Sequence, residues 1–149
     1  MRHESVHMFL GLFIGMILPV LFPGREAAHA QAKVHVQATA KDPVGSHLVY
    51  YLRENLRASR GMELVLAEND AIVNIRVVTI DPDDAGHRTM YSVVWTIKQF
   101  DRNAHIYYTS AVGFWSVQRA RECAGQLTAQ TDSLVADLQR LLREWLRSP

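Results

Sequence analysis

The side chains that could carry chemistry in this sequence are few and widely spaced. Beyond residue 30 the histidines are His35, His47, His87 and His105. None of them has the i, i+4 spacing that places two imidazoles on one helical face for a zinc ion. We therefore assign no metal-ligating residue, and we interpret these histidines as surface or rim side chains.

An acidic loop, Asp81-x-Asp83-x-Ala85-Gly86, has the first carboxylates of a calcium-binding loop. Its fifth position lacks a carboxylate, and Ser92 stands where a bidentate glutamate should close the site. We expect a solvated hairpin loop instead of a cation site.

Nucleophilic catalysis has no motif in this sequence either. Neither Ser46 nor Ser92 lies in a nucleophile-elbow sequence, and the single cysteine, Cys123, has no indicated histidine partner. Isolated glycines provide no phosphate-binding loop. We expect a protein that is not an enzyme, and we assign no catalytic residue, no cofactor-binding residue and no cofactor. An enzyme assembled from the dispersed histidines and Asp81 is a third-ranked hypothesis, which requires these residues to cluster in the fold.

The N-terminal region has the parts of a secretory signal peptide. A short basic start precedes an apolar run over residues 8–22, and Ala28-His29-Ala30 fits the small-x-small pattern of a cleavage site. We predict that residues 1–30 are removed and that residues 31–149 form a single domain. An uncleaved anchor is the alternative, although the run is shorter than the roughly 20 apolar residues of a spanning helix.

The predicted export and the near-neutral charge together limit the classes of partner that the protein can bind. We expect a location in the periplasm or cell envelope, with full secretion as an open alternative. The segment 1–30 contains as many acidic as basic residues, so the mature domain keeps the formal charge of +1. Such a balance provides no basic field for nucleic acid. Contact with a membrane is expected only through an uncleaved signal peptide.

The lone Cys123 cannot form an internal disulfide. In an oxidising compartment it is either buried or available to pair with another chain. It stands in a helical pattern beside Ala120, Ala124 and Leu127, which favours burial.

The hydrophobic pattern predicts the elements that must position any site. Residues 33–39 alternate as a half-buried strand does, and Asp42-Pro43 is typical of a helix cap and first turn. The following helix has the apolar stripe Leu48, Leu52 and Leu56. Gly61 is expected to end it in a left-handed conformation. Residues 62–67, 71–80, 89–100 and 105–115 are then strands, the last three in an antiparallel meander.

A helical period runs from about residue 118 to residue 147. Its apolar seam is Ala120, Ala124, Leu127, Thr131, Leu134, Leu138, Leu141 and Trp145. Packing along the sheet explains this seam better than a coiled coil. The predicted fold is a single α+β domain of order β-α-β-β-β-β-α, with a mainly antiparallel sheet and two helices packed on one face.

The sheet face away from the helices is not cleanly polar. The residues predicted for it include Ile72, Val78, Ile80, Met90, Val94, Phe100, Ile106, Tyr108, Val112 and Phe114. A large exposed apolar patch would mark a contact surface. Sheet twist and single exposed apolar residues are the alternative explanation.

The layout as a whole resembles that of known envelope domains. The helix with Leu48, Leu52 and Leu56, then Gly61, then Glu68-Asn69-Asp70-Ala71-Ile72-Val73 leading into a strand, and a terminal helix over residues 118–146, are similar to the N-terminal domain of the periplasmic TolB protein. They also resemble envelope-assembly domains of the curli-secretion and penicillin-binding-protein-activator kind. The resemblance implies a role in protein contact, without catalytic residues.

Two functions follow from these observations. The first is an exported, non-catalytic envelope protein that acts through contact with a protein partner or as a homodimer. The alternative is a small-ligand carrier or sensor, with a pocket between the C-terminal helix and the sheet.

Overall fold

The protein is described here by a computed structural model covering residues 31–99 and 104–147. The predicted signal peptide and its cleavage site lie outside the described residues. The elements are β1 Ala32–Ala40, α1 Pro43–Ala58, β2 Met62–Val65, β3 Val73–Ile80, β4 Arg88–Lys98, β5 His105–Ser116 and α2 Ala120–Arg147. Their order confirms the predicted β-α-β-β-β-β-α arrangement of a single α+β domain.

The five strands form one sheet in the order β2-β1-β3-β4-β5. β1 lies parallel to both β2 and β3, as expected for the crossover through α1. β3, β4 and β5 form the predicted antiparallel meander, and these longer pairings make the sheet mainly antiparallel.

Both helices pack on the same face of the sheet. Alternate strand residues point towards them and are almost fully buried, among them Val34, Val73, Ile75, Val93 and Trp95. The helical side of this core includes Leu48, Leu52, Leu56, Cys123, Ala124, Leu127 and Leu134. Burial of these apolar side chains is the main stabilising contribution to the domain.

A buried carboxylate fixes the start of α1 against the sheet. Asp42 is the predicted N-cap, and its Oδ1 accepts from the Gly45 backbone N–H at 2.6 Å. Its Oδ2 accepts from Thr79 Oγ1 at 2.8 Å and from Thr89 Oγ1 at 3.0 Å. The capping side chain therefore also joins the helix to β3 and β4.

The end of α1 differs from the expectation. The helix ends at Ala58, and Ser59 is already extended, with φ −69° and ψ 135°. Gly61 does not adopt a positive φ; among the described residues only Asp84 and Gly86 do. The prediction of a left-handed stop at Gly61 was wrong because the chain leaves the helix directly in an extended conformation, which needs no glycine.

Between Ala120 and Leu141, the seam of α2 is buried over its first part only. Thr131 and Leu134 are almost fully buried, and Trp95 Nε1 donates to Thr131 Oγ1 at 2.9 Å. Leu138 is half-buried, and Leu141 is exposed. α2 thus packs on the sheet through the earlier seam residues. No helix among residues 31–99 and 104–147 is both long enough and apolar enough to span a membrane.

Cys123 is buried in this core, 1% exposed, and burial raises the pKa of its thiol to about 12. Because the thiolate is the reactive form, we expect the native protein to react slowly with Ellman's reagent near about pH 8 and quickly in denaturant. Rapid native labelling, or a dimer that reductant dissociates, would contradict this burial. The folded state holds the proton more tightly than the unfolded chain does. The resulting contribution to stability is present below the ordinary thiol pKa and is lost as the pH rises towards 12.

Candidate functional site

Among residues 31–99 and 104–147, no helix packs on the second face of the sheet, and we call it the helix-free face. Directly paired residues of antiparallel strands point to the same side, so the side chains form rows across β3, β4 and β5. The rows are Ile80 with Met90 and Phe114; Val78 with Ser92 and Val112; Arg76 with Val94 and Ser110; and Asn74 with Thr96 and Tyr107. The face therefore changes from apolar at one end to polar at the other.

The first two rows form an apolar patch. We define the apolar patch as Val78, Ile80, Met90, Val112 and Phe114, whose exposed fractions lie between 39% and 76%. These five residues, together with Tyr91, Ser92 and Gly113, line an open cavity of about 460 Å³. Scattered exposed apolar residues are ordinary, but neighbours on three adjacent strands form a continuous surface.

A β-bulge in β5 changes which of its residues share this face. The register against β4 shifts between Trp95 and Thr96, and Tyr108 is the extra residue. Before the bulge, Ile106 pairs with Ile97, so it lies on the side of the sheet that the helices cover. The Tyr108 hydroxyl points to the same side, because it donates to Asp137 Oδ2 of α2 at 3.4 Å. The prediction of Ile106 and Tyr108 on the helix-free face was wrong, because one inserted residue reverses the alternation.

Most of the other residues predicted for this face do lie on it. Val78, Ile80, Met90, Val94, Val112 and Phe114 lie on it. Ile72 precedes β3 and packs against the core instead. Phe100 lies outside the described residues.

The polar end of the face contains a small cluster of charged and amide side chains. Glu68 accepts from Arg76 Nη2 at 3.0 Å, and its Oε1 lies 3.9 Å from His105 Nε2. Asn74, which is 1% exposed, places its Nδ2 2.9 Å from His105 Nδ1. His35 lies beside Asn74 in the paired strand β1. The topology thus brings His35 and His105 to the same end of the sheet.

The carboxyl group of Glu68 in this cluster is not tuned to act as a general acid. The hydrogen bond from Arg76 lowers the pKa of Glu68, and the nearby His105 and His35 act in the same direction. A general acid at neutral pH needs a raised carboxyl pKa, so the shift has the opposite sign. Among residues 31–99 and 104–147, no group of three or more His, Cys, Asp or Glu is arranged to hold a metal ion. The clustering that the metal-enzyme hypothesis requires is not found there.

The other two histidines lie outside the polar cluster, and the acidic loop has a structural role. His47 is exposed on α1, and His87 is exposed in the loop between β3 and β4. In that loop Asp81 accepts from the backbone N–H groups of Gly86 and Asp83, which lower the pKa of its carboxyl group. Asp81 therefore closes the loop on itself.

The space between α2 and the sheet is filled by side chains. Trp95 and Leu134 are almost fully buried there, and Cys123 and Leu127 complete the packing. Three surface cavities of the described residues lie elsewhere, one on the helix-free face and two beside α1. The predicted ligand pocket between α2 and the sheet is thus not among them.

Sequence reasoning found the apolar patch but missed the polar cluster. A signal was present: Asn74 is a lone amide inside the β-branched run Val73–Ile80. A buried polar side chain in such a strand needs a partner nearby. The sequence could not show that the partner would be His105, because that contact depends on the bulged register of β5.

Comparison with known proteins gives no family. No protein-family model matches the chain, and no curated protein sequence matches it. Among solved structures, a hypothetical protein from Chlamydia trachomatis is 10% identical, with a TM-score of 0.41 over 58% of this chain and 73% of the other. Rare lipoprotein B from Shewanella oneidensis is 13% identical, with a TM-score of 0.39 over 70% and 98%.

A third similar structure is the PelC dodecamer from Paraburkholderia phytofirmans, 13% identical, with a TM-score of 0.43 over 68% of this chain and 88% of the other. These bacterial structures, two of them named as a lipoprotein and a dodecamer, overlap this fold only partly. We draw no functional conclusion from them. The resemblance to the N-terminal domain of TolB is not shown and stays a prediction.

Proposed function

We propose that this protein is an exported, non-catalytic accessory protein of the cell envelope that binds another protein through the helix-free face. The observation that carries the proposal is the apolar patch, five large apolar residues exposed together on β3, β4 and β5. Export rests on the signal peptide predicted from residues 1–30.

The surroundings of the patch also suit a protein interface. Arg88, which pairs with Asp83, borders it at one end, and Arg76, which pairs with Glu68, borders it at the other. An apolar centre with a polar rim is the usual anatomy of a protein interface. Burial of the patch would contribute most of the affinity, whereas the rim charges would fix the orientation of the partner.

A site-specific cross-linking experiment tests this function. We would place the photo-reactive amino acid p-benzoylphenylalanine at Val112, the most exposed residue of the patch, and irradiate the cells that produce the protein. The expected result is one dominant cross-linked species, which mass spectrometry identifies either as an envelope protein or as a second copy of the chain.

The matched control carries the same photo-reactive residue at Gln126, which is exposed on α2. It should not give the same species. The substitution Met90→Lys, in the same patch, should abolish the Val112 product while leaving circular dichroism unchanged. Equal products at Val112 and Gln126, or a product that persists with Met90→Lys, would refute specific binding through the patch.

A further inference from the structure

A second surface, independent of the helix-free face, lies at the opposite edge of the sheet. β2 pairs with β1 only as far as His35, which pairs with Val65, whereas β1 continues to Ala40 alongside β3. Beyond His35, no strand of the described part of the chain covers the outer edge of β1. The sheet therefore has a gap one strand wide.

The gap leaves main-chain groups of β1 available for pairing. Backbone groups of alternate residues point to the same side of a strand, and Arg53 Nη2 donates to Val36 O from the outer side at 3.2 Å. Val36, Ala38 and Ala40 therefore face the outer edge. Val36 O is already occupied by Arg53, so the groups left for pairing are those of Ala38 and Ala40. An unpaired strand edge of this kind is a template for an added strand.

A flank of α1 forms the wall of the gap. Between this flank and the edge of β1 lies an open cleft of about 530 Å³, lined by Ala38, Ala40, Ser46, Val49, Tyr50, Arg53 and Arg57. Its volume is within the roughly 300–1,000 Å³ of ligand sites, and five residues of β1 span about 16 Å of edge. The cleft can hold a short extended peptide.

The two arginines give the cleft a direction. Arg53 donates a hydrogen bond to Val36 O, and Arg57 follows one turn later on α1. Both guanidinium groups therefore lie at the end of the gap nearest β2. A peptide running antiparallel to β1 would place its C-terminus at that end. A parallel peptide would place its cationic N-terminus there and be repelled.

A smaller cavity continues beyond the arginines. It has a volume of about 160 Å³, shares Arg53 and Arg57 with the cleft, and is also lined by His35, Val36, Leu64, Val65 and Leu66. Leu66 is 93% exposed at its rim. The aliphatic members of this lining suit the side chain of a terminal aliphatic residue, while its carboxylate would lie at the arginines.

We propose that the edge of β1 and the flank of α1 bind the free C-terminus of another protein. The peptide adds as an antiparallel strand beside Ala38 and Ala40, Arg53 and Arg57 bind its terminal carboxylate, and its last aliphatic side chain enters the cavity beside Leu66. Arg57 also pairs with Glu54 on the same helix, and this carboxylate competes with the peptide for it. Backbone pairing gives such a site affinity, and charge-assisted hydrogen bonds to the carboxylate give it specificity.

The test uses two pools of randomised heptapeptides, one with free C-terminal carboxylates and the other amidated. Each pool is passed over the immobilised protein, and mass spectrometry identifies the retained peptides. We expect retention from the free-acid pool, enriched in aliphatic last residues. The best free-acid peptide should bind at least about tenfold more tightly than its amide in fluorescence anisotropy.

Variants of the cleft separate carboxylate binding from general loss of structure. Arg53→Gln and Arg57→Gln should each weaken the best peptide about tenfold, and Glu54→Gln should strengthen it. Arg143→Gln, an exposed change at the far end of α2, should have no effect. Thermal unfolding of each variant checks that the domain remains folded.

Three results would overturn the proposal: equal retention of both pools, retention of neither, or full binding by Arg53→Gln. A chromatographic dimer that Arg53→Gln dissociates, with neither pool retained, would show instead that a second copy occupies the gap. Failure of this site leaves the patch experiment at Val112 unaffected, since the two surfaces share no residue.

Discussion

Gly45→Ala is expected to lower the free energy of unfolding by about 3 kcal/mol or more, because the site has no room for a methyl group. An added Cβ would lie 2.5 Å from Thr79 Cβ and 2.7 Å from Asp42 Oδ2. Relief requires Thr79 or the first turn of α1 to move, which would disturb the hydrogen bonds that Asp42 accepts from Gly45 and Thr79. Urea unfolding followed by circular dichroism measures the change.

Gly125→Ala is the matched control for this prediction. Gly125 lies inside α2, and an added Cβ would meet nothing within 4 Å. Alanine at an open helical position is expected to stabilise the domain by about 0.5–1 kcal/mol, since it restricts the unfolded chain more than glycine does. If Gly45→Ala proved as harmless as Gly125→Ala, the close packing of α1 on β3 would be incorrect.

The start of α1 shows where sequence reasoning succeeds. Asp42 and Pro43 predict the start of the helix because they are typical cap and first-turn residues, and the structure places both as expected. Nothing in the local sequence indicated that Gly45, two residues after Pro43, is tightly packed. Its importance comes from Thr79, which lies 34 positions away in sequence and reaches it only after the sheet has formed. Local capping was predictable, whereas the long-range contact was not.

The faces of the strands were predictable only where the alternation is unbroken. β3 and β4 keep strict alternation, so Val78, Ile80 and Met90 were correctly placed on the helix-free face. In β5 the bulge at Tyr108 reverses the pattern, and Ile106 moves to the other side. Nothing in the run Tyr107-Tyr108-Thr109 marks the inserted residue, because each of these residues has high β propensity.

The gap beside β1 could not be predicted from the sequence at all. Its existence depends on the register of β2, which stops pairing at His35 while β1 continues. The arginines gave a weak signal, since Arg53 and Arg57 are one helical turn apart on α1. Two arginines at that spacing usually belong to a solvated face of a helix. They indicate a binding site only because the unpaired edge of β1 lies beside them.

Leu134→Ala is expected to lower the free energy of unfolding by about 2–5 kcal/mol, as is usual for a leucine that is fully enclosed. Leu134 is 2% exposed in the core under α2. It lies one turn beyond Thr131, which accepts the hydrogen bond from Trp95 that fixes the helix on the sheet. Truncation therefore leaves a cavity in a part of the core that has little freedom to collapse. Equilibrium unfolding in urea measures this loss.

The same substitution farther along the seam should reveal where the packing ends. Leu138 is half-buried, so Leu138→Ala should have an intermediate effect, and Leu141, which is 52% exposed, should tolerate alanine within about 0.5 kcal/mol. A loss below about 1 kcal/mol for Leu134→Ala would mean that α2 does not pack as described. A large loss for Leu141→Ala would instead show that the end of α2 is covered, by a partner or by a second copy, since no described residue of this chain buries it.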